Sequence, residues 1–190
     1  MPVLGPESTT QVPPRRWTID PGQSQVGFSV RHLMVATVRG GFTRFEGALE
    51  TDAAGLAKIS GVVDTASIDT GEPTRDERLR APEFLDAERN PEIRFASRRI
   101  EPDATGTLRV VGDLTIGGVT CELTLRALAR DHSAGADRLQ VEARGEISRS
   151  EFGLGWEDTL EAAGALVGDR VRIALDVVAY AADPWPSTSA

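Results

Sequence analysis

The chain has 190 residues and a mass of 20.4 kDa, which is enough for one domain with its own core. Its net charge of −8 argues against a general nucleic-acid binder, because such a protein needs a basic face. Cys121 is the single cysteine, which excludes an intrachain disulfide and a cysteine-based metal site. We expect Cys121 to act as a small buried apolar residue.

Residues 1–15 are rich in proline, serine and threonine, so we expect a flexible N-terminal arm. This stretch has no basic segment followed by an apolar run and therefore does not resemble a signal peptide. Residues 183–190 contain two prolines and are expected to form a flexible tail, which leaves residues 16–182 as the folded domain. No apolar run is long enough for a membrane span, and together these features predict a cytoplasmic protein.

Within the domain, the hydrophobic period is two rather than 3.6. Val26, Phe28 and Val30 alternate with polar or small neighbours, which is typical of a strand with one buried face. Turn-forming sequences separate nine such runs, at about 16–20, 24–35, 38–50, 57–66, 92–101, 107–115, 119–131, 138–149 and 170–181. Many short strands with regular turns predict an all-β fold, either a sandwich or a barrel.

Residues 70–90 interrupt this pattern. Thr74 is a candidate N-cap for a short helix over residues 75–80, and Pro82 would end it. A further helical turn is predicted near residues 83–89. Such an insertion in an all-β chain is typical of a lid or an end plug. A second interruption, at 153–168, includes a weakly helical stretch at 159–165.

His32 is the more informative of the two histidines. Alternation places it on the same face as Val26, Phe28 and Val30, so its imidazole points to the apolar side of the sheet. It is either a core histidine bonded to a buried partner or a polar group inside a ligand cavity. His132 precedes a glycine-containing turn and is expected to be exposed.

The sequence offers little support for catalysis. The two histidines are far apart and form no close-spaced pair of metal ligands, so no metal site is expected. The glycine-rich stretches do not match a nucleophile elbow or a phosphate loop, and no cofactor is expected.

A closed sheet of about eight strands can hold one ligand in its interior. Aromatic residues make up only 5% of the chain, so the interior is expected to be aliphatic. An aliphatic interior suits an alkyl or isoprenoid chain better than a flat aromatic ring.

Motifs along the whole domain resemble those of the YceI-like family. The first is WTIDPGQSQVGFSVRHLMV, at residues 17–35. Others follow in order at residues 38–42, 45–47, 67–71, 75–76, 79–80, 84–86, 90–95, 112–120 and 149–154. The resemblance implies a lipocalin-like extended antiparallel β-barrel of about eight strands, with the short helical insertion near residues 70–90. It further implies a non-catalytic protein that binds, stores or transports a polyisoprenoid or isoprenoid quinone, and a possible homodimer.

The sequence departs from the family pattern inside the insertion. Relatives often have histidine at the position of Arg78, serine at that of Ala81 and phenylalanine at that of Leu85. These changes bear on the head group of the ligand more than on its aliphatic tail. Many relatives are periplasmic, whereas no export signal is recognised in this sequence.

The predicted ligand-binding residues fall into a polar end and an apolar wall. The polar end comprises Arg31, His32, Arg75, Asp76 and Arg80, among which His32 is favoured because it points inward while Arg31 points outward. The wall comprises Phe28, Val30, Leu33, Phe42, Phe45, Phe84, Phe95 and Trp156. Alternatively, Arg75 and Asp76 form a structural pair that fixes the insertion to a strand end.

Two other functions remain open at the level of sequence. One is an enzyme that uses the same cavity for a small hydrophobic substrate, with His32 as the base. The other is a regulatory protein-interaction module with an empty or filled barrel.

Overall fold

The computed structural model describes residues 15–32, 36–52, 54–131, 137–154 and 167–182. This part of the chain contains eleven antiparallel β-strands and one α-helix, α1 (Pro73–Arg80). The strands are β1 (Arg15–Ile19), β2 (Gln25–His32), β3 (Ala36–Phe42), β4 (Phe45–Asp52), β5 (Gly55–Asp64), β6 (Ile68–Asp69), β7 (Glu92–Pro102), β8 (Leu108–Ile116), β9 (Val119–Asp131), β10 (Arg138–Ser148) and β11 (Val167–Ala181).

Eight of these strands form a closed ring in the order β1-β4-β5-β7-β8-β9-β10-β11. The ring closes because β1 pairs with β4 on one side and with β11 on the other, so that Trp17 lies opposite both Leu49 and Ala181. The prediction of an all-β, lipocalin-like antiparallel barrel is therefore confirmed.

The remaining strands, β2, β3 and β6, extend one side of the ring. β2 follows β1 along the same edge of β11: Ile19 pairs with Ala179, and Val26 pairs with Leu175. β3 pairs with β2, and β6 pairs with the end of β3. This layer continues the barrel wall beyond β1 and supplies the inward-facing side chains of β2.

Alternation of side chains builds the core inside the ring. On β9, Leu123, Leu125 and Ala127 are buried, while the residues between them are more exposed. Trp17 is buried at 2% exposure, and its indole Nε1–H donates a hydrogen bond to Thr51 Oγ1 at 3.0 Å. This bond lets the indole fill one end of the barrel without leaving its polar nitrogen unpaired.

The strand predicted at 38–50 is in fact two strands, β3 and β4. The backbone N–H of Thr43 donates to the carbonyl of Ser67 at 3.1 Å, and the N–H of Arg44 donates to Ser67 Oγ at 3.1 Å. These bonds satisfy the backbone where the chain leaves the β3 ladder. Ser67 directly precedes β6, which has only two residues and is too short to produce an alternating pattern in the sequence.

Helix α1 begins earlier than predicted, because Glu72 rather than Thr74 is its N-cap. The Glu72 carboxylate accepts hydrogen bonds from the N–H groups of Thr74 and Arg75, and Pro73 occupies the first helical position. The helical turn predicted near residues 83–89 corresponds to two short runs of turn at 82–85 and 87–89, with no further helix between them. One reason is Asp86, whose φ of 46° lies in the left-handed region and interrupts a right-handed helix.

Several sequence predictions fall on residues outside the described ranges. These are nearly all of the N-terminal arm, Leu33, His132, Trp156, the stretch 159–165 and the tail 183–190. β1 begins at Arg15, one residue before the predicted start of the domain.

Candidate functional site

The barrel encloses a cavity of about 580 Å³ with mainly apolar lining residues. Ligand sites typically have volumes of ~300–1,000 Å³. The inward residues of β2 all line it: Val26, Phe28, Val30 and His32. The prediction that these four side chains share one face is confirmed.

The cavity is elongated along the barrel wall. Alternate residues of β11 from Val171 to Val177 line it, a path of about 20 Å at ~3.3 Å per residue. At one end, His32 pairs with Val167 in the ladder, and both line the cavity. At the other end Ile19 and Leu49 line it, and alternation along β1 places the buried Trp17 beyond Ile19.

Glycines on the inner face make room for aromatic rings. The Phe28 ring lies over Gly40, where an added Cβ would come within 2.6 Å of Phe28 Cζ. Phe42 lies beside Phe28, with the two ring centroids 5.8 Å apart. At Gly61, which also lines the cavity, an added Cβ would meet only the Glu46 carbonyl oxygen, at 3.5 Å. The wall at Gly61 is thus left open by the absence of a side chain.

Helix α1 turns two arginines toward the cavity. Arg75 and Arg78, three positions apart, both line it. The guanidinium of Arg75 donates from Nε to Thr70 Oγ1 at 2.7 Å and from Nη2 to the Thr70 carbonyl at 3.1 Å. The guanidinium carbon of Arg78 lies 5.4 Å from the centroid of the Phe84 ring.

Asp76 and Arg80, both predicted at the polar end, do not line the cavity. Asp76 is 5% exposed and accepts hydrogen bonds from the N–H and Oγ1 of Thr70, at 2.9 and 2.5 Å. Arg80 donates to the carbonyls of Ala66 and Ile68, each at 2.7 Å. Both side chains therefore attach α1 to the segment around β6.

The other predicted residues divide into those that line the cavity and those that do not. Arg31 is exposed and is not a lining residue, because alternation turns it to the outer face, whereas His32 is a half-buried lining residue. The predicted wall residues that line the cavity are Phe28, Val30, Phe42, Phe45, Phe84 and Phe95. Arg75 and Asp76, predicted as a structural pair, are linked through Thr70, because both side chains form a hydrogen bond with its Oγ1.

Sequence reasoning missed Arg149, which lines the cavity although it is only 4% exposed. Its guanidinium donates to the carbonyls of Leu154 at 2.7 Å and of Val167 and Gly168 at 3.2 Å. The available signal was its place in the motif at 149–154. Arg78 was noted only as a departure from the family, although it lies one helical turn from Arg75.

Asp169 holds the segment that carries Arg149. Its carboxylate accepts hydrogen bonds from Ser148 Oγ at 2.5 Å and from the N–H of Ser150 at 3.0 Å, and its carbonyl accepts from the N–H of Arg149 at 2.9 Å. The pKa of Asp169 lies below its ordinary value, mainly because the hydrogen bond from the Ser148 hydroxyl stabilises the charged carboxylate.

Metal-binding clusters and membrane-spanning helices are both absent from residues 15–32, 36–52, 54–131, 137–154 and 167–182. No cluster of three or more histidine, cysteine, aspartate or glutamate side chains there is arranged to hold a metal ion. No helix there combines the length and the apolar character needed to cross a membrane.

Comparison with known proteins assigns the fold to a family. The sequence model of the YceI-like domain matches residues 17–179, which is most of the chain. The protein belongs to the YceI-like family. A UPF0312 protein of Staphylococcus epidermidis is 30% identical over 163 residues, which cover 83% of this chain and 92% of that protein. A UPF0312 protein of Staphylococcus aureus strain USA300 is 28% identical over 162 residues, with 82% and 92% covered.

Solved structures agree with this YceI-like fold. BcnA of Burkholderia cenocepacia superimposes with a TM-score of 0.74 at 25% identity, covering 84% of this chain and 98% of BcnA. A polyisoprenoid-binding domain from Saccharophagus degradans superimposes with a TM-score of 0.71 at 16% identity, covering 87% of this chain and 98% of that domain.

Proposed function

We propose that this YceI-like protein binds the chain of an isoprenoid lipid inside its barrel, in order to store or transport it. The observation that carries the proposal is the elongated cavity of about 580 Å³, lined by aliphatic and phenylalanine side chains. Burial of apolar surface contributes about 25 cal/mol per Å², so a chain of several isoprene units can bind without any catalytic group.

Family membership supports a lipid-binding role. The Saccharophagus degradans domain, which has the same fold, is described as polyisoprenoid-binding. In this chain, β2 and β11 place Phe28, Val30 and Ile173 on the cavity wall. These side chains offer an apolar surface along the path that an isoprenoid tail would follow.

His32 lines the cavity at the end where it pairs with Val167. Its imidazole is a polar group next to the apolar side chains of Phe28 and Val30 on the same strand. We therefore propose that His32 contributes a polar edge to the site.

Native mass spectrometry after gentle purification tests the proposed function. We expect a co-purifying mass in the range of an isoprenoid lipid, bound one per chain. Extraction of the lipid followed by titration with geranylgeraniol should restore a saturable complex. A well-resolved ligand-free species that also fails to bind geranylgeraniol would contradict lipid binding. Turnover of a bound lipid that is lost in His32→Ala, with binding retained, would favour the enzyme alternative.

A further inference from the structure

We infer that the α1 end of the cavity selects amphiphiles with an anionic head group, phosphate or carboxylate, through Arg75 and Arg78. This inference rests on the proposed function, because it assigns the head group of a ligand whose tail occupies the barrel. It commits the site to charged lipids over uncharged ones such as quinones or alcohols.

Contacts with the protein position both arginines and leave guanidinium N–H donors free to bind a ligand. Arg75 uses Nε and Nη2 to bind Thr70, but a guanidinium has five N–H donors, so further donors remain for a ligand. Arg78 lies against the Phe84 ring, which restrains its exposed side chain at the cavity rim. An arginine pair of this kind fits the oxygens of a phosphate or a carboxylate.

Arg75 and Arg78 differ from most other arginines in having no carboxylate partner among the described residues. Ten other arginines have a carboxylate within 4.0 Å. Like charges one helical turn apart repel each other. An anion bound between them would relieve that repulsion, which gives a charged ligand an advantage over a neutral one.

Among the described lining residues, two acids, Glu46 and Glu72, stand against three arginines, so the acids offset only part of the positive charge. Glu72 lines the cavity, but both of its carboxylate oxygens accept N–H groups at the start of α1. Asp76 is turned to Thr70 and is not a lining residue. Glu46 is exposed but also lines the cavity. Arg149 adds a third positive charge to the wall.

The closed end of the barrel fixes the orientation of the ligand. Ile19 and Leu49 line the far end, and the indole of Trp17 lies beyond them with its N–H already bonded to Thr51. A charged head there would lose its hydration without gaining a partner. The tail therefore points toward Trp17, and the head lies at α1.

The test compares ligands that share a tail. Delipidated protein is titrated with geranylgeranyl phosphate and geranylgeraniol, and separately with palmitate and hexadecanol, which distinguishes the phosphate source from the carboxylate source. We expect at least one anion to bind about tenfold more tightly than its alcohol, a difference of about 1.4 kcal/mol. Arg78→Gln should remove most of this preference and leave the affinity for the alcohol unchanged.

Arg31→Gln is the matched control, because it removes one exposed positive charge from the outer face. It should keep the preference for the anion.

The Arg78 side chain is exposed and donates no hydrogen bond to the described residues, so Arg78→Gln is expected to fold normally, as circular dichroism can verify. Equal affinities for the anion and the alcohol, or equal losses in both variants, would overturn the inference and leave lipid binding intact. Failure of all four ligands to bind would overturn the proposed function itself.

Discussion

At the scale of single residues, the inner wall is shaped as much by missing side chains as by those present. The Phe28 ring lies over Gly40 and in contact range of Phe42, so an aromatic ring fits against the sheet instead of projecting across the cavity. Gly112 accommodates the Phe95 ring in the same way. Glycine at these positions therefore preserves the width of the cavity.

We expect Gly40→Ala to lower the free energy of unfolding by about 1–3 kcal/mol, the usual cost of forcing extra volume into a well-filled site. The new Cβ would lie 2.6 Å from Phe28 Cζ and 3.0 Å from the Asp69 carbonyl oxygen, so the ring and the backbone must move. Urea denaturation measures the loss. Gly61→Ala is the control, because its Cβ makes only an ordinary contact at 3.5 Å. Equal losses in both variants would contradict this account.

At the scale of elements, α1 is attached to the barrel mainly by polar bonds. Its sequence, PTRDERLR, offers a single large apolar side chain, Leu79. The Arg80 guanidinium reaches back to two carbonyls around β6, and Asp76 binds both donors of Thr70. The helix that carries Arg75 and Arg78 is thus positioned by buried or half-buried hydrogen bonds.

We therefore predict that Arg80→Gln loosens α1 and lowers the free energy of unfolding by about 1.5–3 kcal/mol, the range for a hydrogen bond to a charged group. Hydrogen exchange should become faster in residues 66–80 and stay unchanged in β9. Arg109→Gln provides the control, because Arg109 is exposed and makes no ion pair in the described part of the chain. Unchanged exchange in α1 would show that Arg80 does not hold the helix.

The hydrogen bonds to the Asp169 carboxylate predict that the free energy of unfolding depends on pH. The pKa of this carboxylate is lowered in the folded state, so the group stabilises the fold above its unfolded pKa of ~3.9. That contribution is lost as the pH falls through the lower folded value. Because Asp169 is exposed, we expect an effect below about 1 kcal/mol. Asp169→Asn should be less stable than the wild type at pH 7 and equally stable near pH 2. A constant difference across this range, measured by urea denaturation, would contradict the prediction.

The alternation of apolar and polar residues predicted most strands, because a hydrophobic period of two shows which face of a strand is buried, as on β2 and β9. It missed the break between β3 and β4, because the bonds there come from Ser67, more than twenty residues along the chain. It misassigned the N-cap of α1 because threonine is a preferred N-cap residue and glutamate is not, whereas the folded geometry selects Glu72. The local sequence alone therefore does not identify the N-cap of this helix.

At the scale of the whole molecule, the site depends on closure of the ring. The sequence placed His32 and the phenylalanines on the inner face, since that needs only alternation. It did not separate Arg75, which reaches the cavity, from Arg80, which does not, because their roles depend on how α1 lies on β6. Arg149 was missed for the same reason: its guanidinium binds the Leu154 carbonyl nearby and the carbonyls of Val167 and Gly168, which are 18 and 19 residues away along the chain.

Val30→Trp is expected to weaken lipid binding by tenfold or more without unfolding the barrel, because Val30 lines the cavity and a larger side chain would occupy the path of the tail. Titration with geranylgeraniol measures the affinity, and circular dichroism reports the fold. Val119→Trp adds the same volume at a position that is 38% exposed and serves as the control. Equal affinities of the two variants would count against the barrel interior as the binding site.

The pairing of β1 with β11 also constrains how the barrel folds. The chain brings one of its earliest strands against its latest described strand, with Trp17 opposite Ala181. Such long-range contacts slow folding, because the entropy of closing a long loop is lost before the contact is gained. During synthesis β4 can meet β1 early, but the ring stays open until β11 has left the ribosome. The apolar interior is therefore enclosed only after β11 has been synthesised.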